Sequence, residues 1–203
     1  MIKETGVFPR VAVRSIAAGM LMMAFFTTLW AGIAFGSLGG MEHGAPLLIF
    51  PVLCIAFIAN AIYLSVISKR FPKLTSEEDK AEGKKSGMWF GIIFGAEGLL
   101  IFLGINIVTN FGHADLSIPV IALVVGLHFY PLAKVFKRKI DYYLATWTTV
   151  VAIFGILFIL KKTYSVEHVD AIVGICTAIA TSCYGLYMMY SGWKMDKPAK
   201  PSV

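Results

Sequence analysis

The sequence predicts an all-α integral membrane bundle of six transmembrane helices with both termini cytoplasmic, and three observations carry that expectation. The first is composition: 58% of the 203 residues are apolar and only 15% are charged, against about 45–50% and about 25% in soluble domains. The second is grouping, because the apolar residues fall into six long runs and are not dispersed. A helix rising about 1.5 Å per residue needs about 20 such residues to cross roughly 30 Å of hydrocarbon. The third is the placement of the basic residues between the runs, which sets orientation.

The runs occupy residues 15–35, 47–67, 88–108, 118–136, 142–160 and 171–190, within one transmembrane domain, 1–203. Backbone groups in lipid must be paired within their own segment, and no run alternates as a membrane strand does, so helices are expected throughout. The first run follows a basic start and ends in small residues (Ala31, Gly32, Ala34, Gly36), as a signal peptide does. Its apolar stretch exceeds the roughly 7–15 residues of a signal core, and it is read as a retained span. The second run contains Pro51, whose ring opposes the carbonyl of Leu47, so a kink is expected there. The third carries Gly87, Gly91 and Gly95, with Gly98 on nearly the same face. Such a stripe suits close helix packing, expected here inside the chain with the third helix near the bundle centre; dimerisation is its other use. The fourth contains Pro131, expected to kink the helix beside His128. Tyr142, Tyr143 and Trp147 in the fifth run, Trp193 after the sixth, Trp89 and, at the opposite end, Trp30 are placed at interfacial depth.

All of the 18 bases except Lys161 and Lys162 fall on one side of the predicted bundle, which the positive-inside rule assigns to the cytoplasm. The expected location is the bacterial cytoplasmic membrane. The long connection 68–87 mixes Glu77, Glu78, Asp79 and Glu82 with six bases and reads as a solvated or partly helical cytoplasmic loop. The tail 194–203, with Pro198 and Pro201, reads as a short disordered end. The formal charge of +6 is explained by topology and anionic headgroups, and nucleic acid is not an expected partner. Cys54, Cys176 and Cys183 lie inside apolar runs without CxxC spacing, and their odd number argues against a disulfide framework.

Glu97 and His128 are the informative polar residues. Each lies eight or nine residues from the basic end of its run, and the short connection 109–117 makes their helices antiparallel neighbours. A charge at a helix centre costs about 2.5–3.5 kcal/mol to insert, so a Glu–His contact is expected. Asn60 lies at a similar depth and is expected to orient the pair, with Thr149 and Ser182 completing a polar layer. Intramembrane ionisable groups commonly serve proton or ion relays or anchor a substrate; the other use is a buried pair that fixes packing.

Each predicted outer loop carries a histidine beside a carboxylate: Glu42-His43, His113 with Asp115, and His168 between Glu167 and Asp170. If the loops meet, His43, His113 and His168 offer imidazoles to Zn²⁺ or a similar metal. No other cofactor is expected, since the sequence has no Walker loop, GxGxxG fingerprint, HExxH or nucleophile elbow. The segment GLHFYPLAKVFKRKIDYY, residues 126–143, resembles one in small uncharacterised bacterial six-helix membrane proteins. That resemblance covers the fourth run and the start of the fifth; it implies a six-helix fold and brings no catalytic residues.

The leading expectation is a small transporter or channel-like protein, proton- or cation-coupled, in which Glu97, His128 and Asn60 form a mid-membrane site. Its partners would be the bilayer, a small ion or small molecule, and in oligomeric form a second copy. A scaffold or accessory subunit ranks second and a membrane-embedded enzyme acting on a lipophilic substrate third. A hydrated path to the polar layer favours transport, a sealed dry bundle the scaffold, and a lipid-sized side cleft the enzyme.

Overall fold

The structure is a computed structural model and describes residues 8–40, 44–73 and 77–196. Six helices follow in chain order: α1 (Arg10–Ser37), α2 (Ile49–Ile67), α3 (Glu77–Asn110), α4 (Ser117–Phe136), α5 (Lys139–Leu160) and α6 (Val166–Asp196). Short 3-10 turns, Ala45–Leu48 and Ser68–Arg70, flank α2, and a third, Ala114–Leu116, leads into α4. Among the described residues there is no strand. All six helices are long and apolar enough to cross a membrane. Large apolar side chains such as Phe25, Ile55 and Phe102 stand more than 60% exposed on the outside of the bundle. In water such a belt would drive association; against lipid tails it carries no such penalty. These are the features of a multi-pass integral membrane protein.

Several helix ends differ from the sequence reading. α3 begins at Glu77, well before its apolar run, so much of the expected loop is helix. Its first turn holds Glu77, Glu78 and Asp79, whose charges complement the positive end of the helix dipole, and Lys80 pairs with Glu77 at 2.7 Å. α6 runs on to Asp196, which accepts a hydrogen bond from the Tyr63 hydroxyl at 2.6 Å, so the start of the expected tail is helical. The rest of that tail, 197–203, lies outside the described residues. Arg10 donates from Nε to the carbonyl of Ser68 at 3.0 Å and from Nη2 to that of Lys69 at 2.7 Å. The start of α1, the end of α2 and the end of α6 therefore lie together, at what we call the basic end.

The helices neighbour one another in the order α3, α4, α5, α6, α1, α2, with the most extensive interface between α1 and α6. The expectation of a central third helix is corrected by this arrangement. α6 is the most buried span and α3 the least; along α3 only Ile93 and Glu97 are buried. The glycine stripe of α3 is corrected with it. Gly87, Gly91, Gly95 and Gly98 are exposed, and a Cβ added at any of them would meet nothing within 4 Å. Close approach occurs elsewhere. A Cβ on Gly174 of α6 would lie 2.9 Å from the backbone oxygen of Trp30 and 3.0 Å from the Cβ of Ala34. Gly126 of α4 sits equally close to Thr149 of α5, and Gly185 of α6 to the ring of Phe57.

Two further expectations change. Pro51 falls in the first turn of α2, where a helix has no use for that N–H, so it starts the helix and does not kink its middle. Trp30 is not an interfacial anchor: it is 1% exposed and packs inside the bundle. Pro131 does lie inside α4.

A methyl group at Gly174 must push against backbone, whereas one at Gly91 enters open space. Gly174→Ala is therefore expected to destabilise by about 1–3 kcal/mol, as overpacking does. Gly91→Ala is expected to be neutral or to stabilise by up to about 1 kcal/mol through helix propensity. Thermal unfolding midpoints of the two variants in detergent check the contrast.

Candidate functional site

α3 turns its one intramembrane carboxylate inward, where α4 supplies the partner. The chain leaves α3 through Gly112 at φ +78°, with His113 N–H donating to the carbonyl of Val108 at 2.8 Å, and enters α4 antiparallel to α3. Glu97 Oε1 then stands 3.2 Å from His128 Nδ1, and Glu97 is only 5% exposed. The expected Glu97–His128 contact is present in the structure.

The pair borders a cavity of about 430 Å³ between α1, α3 and α4, floored by α6. Phe26 and Trp30 of α1, Phe90 and Phe94 of α3, Phe129 of α4 and Tyr184 of α6 make its walls largely aromatic. Met22, Met23 and Met188 fill between them with flexible, polarisable side chains. Towards the basic end the lining passes through Ser15, Ser86 and Gly87 to Phe136 and Arg138. A second cavity of about 620 Å³ opens between α1 and α3, bordered by Leu21, Phe25, Gly98 and Ile101. Both cavities are lined by Phe26, Phe90, Phe94 and Glu97. Glu97 thus borders both voids, the one that runs along the bundle and the one between α1 and α3. The Phe26 and Phe94 rings, 6.2 Å apart, stand at the junction.

The basic end of the cavity is built by a tight turn. Lys137, after α4, takes the left-handed conformation at φ 53°, which costs about 1–2 kcal/mol for a residue with a side chain. The turn sets Arg138 with its Cζ 4.4 Å from the centre of the Phe136 ring and its Nη1 donating to the Tyr184 hydroxyl at 2.9 Å. Asp141, in the first turn of α5, is wholly buried beside Arg138 and Tyr184. Higher in the cavity Thr181 takes a hydrogen bond from the Thr27 hydroxyl at 2.8 Å, joining α6 to α1.

The remaining sequence expectations fare unevenly. Asn60 is not brought to the pair: it is not among the residues lining the cavity, and its helix α2 packs on α1 and α6. Thr149 belongs to the close α4–α5 crossing at Gly126, and Ser182 is buried without lining the cavity, so neither completes a layer around Glu97. His43 lies outside the described residues. His113 has Asp115 at 4.0 Å and His168 has Ser165 at 2.7 Å. Among the described residues, no three potential metal ligands come together. Arg138, Tyr184, Asp141 and Thr181 went unsingled in the sequence. Asp141 carries a sequence signal, a carboxylate at the start of an apolar run; Arg138 reads in the sequence as one of the cytoplasmic bases.

Comparison with known family profiles, curated proteins and solved structures found no match. The functional reading therefore rests on the site itself.

A carboxyl that lines an apolar cavity should react with a lipid-soluble carbodiimide more readily than one that lines none. An adduct at Glu97 and none at Asp141, which is buried but does not line the cavity, is the expected peptide mass map. No adduct at Glu97 would contradict the geometry.

Proposed function

We propose that the protein is a small proton-coupled carrier that moves a lipophilic molecule between the bilayer and the water at its basic end. The observation that carries this is Glu97 lining both the side opening and the cavity that runs to the basic end. A carrier needs one site reachable from two compartments, and a carboxylate that borders both voids supports that reading. The aromatic and methionine walls favour an apolar substrate over a bare ion, since a hydrated ion would find few groups to replace its water. The Glu97–His128 contact supplies a proton exchange next to the substrate, the use to which intramembrane carboxylates are commonly put. By the distribution of bases the basic end faces the cytoplasm, and the cytoplasmic membrane of a bacterium is its proposed location.

The side opening also favours a second reading, acid–base chemistry on a lipid-soluble substrate with Glu97 and His128 as the proton-transfer pair. A scaffold in which the pair only secures packing leaves the shared cavity without a use.

Proteoliposomes with an internal pH dye and an imposed pH gradient separate these readings. Alkyl phosphates, alkyl trimethylammonium salts and alkyl alcohols are added in turn, and protein-free vesicles give the background. Wild type is expected to speed dissipation of the gradient with at least one class, and Glu97→Gln and His128→Gln to lose that response while still unfolding cooperatively. Unchanged dissipation in both variants would contradict proton coupling. Recovery of a chemically altered substrate would favour the enzyme.

A further inference from the structure

We infer that the cavity takes an anionic single-chain amphiphile, its head held by Arg138 and its chain laid along the aromatic wall toward Glu97. This rests on the carrier reading and names its substrate class. The head site is Arg138. Its Nη1 is engaged by Tyr184 and its face lies over Phe136. A guanidinium carries five N–H donors, so an edge is left for a ligand. Among the described residues no carboxylate forms an ion pair with it within 4.0 Å. The planar fork of arginine matches a carboxylate or phosphate, which takes two parallel hydrogen bonds from it.

The chain site is the wall between the two polar ends. Leu132, Phe136, Phe90 and Phe94 line the cavity between Arg138 and the Glu97–His128 pair. From Ser86, level with the mouth, to Glu97 is about 16 Å of helix. That is close to half the roughly 30 Å hydrocarbon thickness, the depth of one leaflet. A head at one end and an extended chain over that depth fit the cavity; a compact ion leaves most of it empty.

The sign of the head follows from what faces it. Lys134, Lys137 and Lys139 are exposed around the same turn, while Asp141 is buried behind Arg138 and does not line the cavity. A cationic head at the mouth would meet a guanidinium with no acid at the cavity wall beside it. Glu97 stands at the far end, against the chain.

The test uses the full chain in phosphatidylcholine nanodiscs, with a fluorescent conjugated-polyene fatty acid as probe. Energy transfer from tryptophan, Trp30 lining the cavity, reports occupancy, and Trp30→Phe should lower the specific part of it, with Trp89, Trp147 and Trp193 supplying the remainder. Hexadecanoate is expected to displace the probe at concentrations about tenfold or more below those needed for hexadecanol or hexadecyltrimethylammonium. Arg138→Gln should erase that difference and Arg138→Lys should keep part of it. Gly87→Leu, which adds a side chain at the mouth where a Cβ meets nothing, should block probe and competitors alike. Displacement by added lysophosphatidylglycerol would assign the anionic head to a single-chain lipid, and displacement by hexadecanoate alone to a free acid; both support the class, whereas equally strong displacement by two-chain phosphatidylglycerol would overturn the single-chain assignment. Equal competition by acid, alcohol and ammonium, still blocked by Gly87→Leu, would overturn the anionic class and leave the cavity a ligand site. That comparison stands on wild type even if Arg138→Gln fails to fold. Probe binding untouched by Gly87→Leu would overturn the cavity as the site.

Discussion

A carboxylate inside an apolar bundle needs a partner, and His128, with its Nδ1 3.2 Å from Glu97 Oε1, stands beside it at the place where α3 turns inward. Inserting an unpaired charge at such depth costs about 2.5–3.5 kcal/mol, comparable to a large core mutation. α3 buries little else besides Ile93, so its rotation about its own axis follows from where Glu97 must point. With that rotation set, Gly91 and Gly95 stand on the open face of α3, Gly87 and Gly98 border the two cavities, and Phe90 and Phe94 face α1. The aromatic wall of the cavity is thus a consequence of placing one carboxylate.

The cavity exists because the tight packing lies elsewhere. α1 and α6 approach through Gly174 against the backbone of Trp30 and through the Thr27–Thr181 hydrogen bond, and α4 and α5 through Gly126 against Thr149. Lipid tails give helices no hydrophobic drive to associate, so small residues and buried hydroxyls decide which pairs close. The α1–α3 side has aromatic rings where those pairs have glycine, and stays open.

Much of this was legible in the sequence, and the losses have physical reasons. Run length located all six helices, because hydrocarbon thickness fixes how many apolar residues a span needs. The antiparallel placement of Glu97 and His128 followed from equal depth and a short connection. Neighbour order was not legible: a glycine stripe records that close approach is permitted, not which helix uses it. Gly174 and Gly185 make close approaches without forming a GxxxG stripe, on a helix rich in small residues. Asn60 had the depth of the pair but the wrong helix, and depth alone says nothing of azimuth. Arg138 looked like one more cytoplasmic base until the turn at Lys137 folded it back over Phe136.

The coupling between Glu97 and His128 is the centre of this picture, and a double-mutant cycle reads it most directly. Reversible unfolding of wild type, Glu97→Gln, His128→Gln and the double variant in mixed detergent gives the interaction energy. Residues in contact are coupled by about 0.5–3 kcal/mol. A coupling in that range is the expected result, with the double variant less destabilised than the sum of the single ones. Additivity to within about 0.3 kcal/mol would mean that the two side chains do not meet, and would contradict the site built on them.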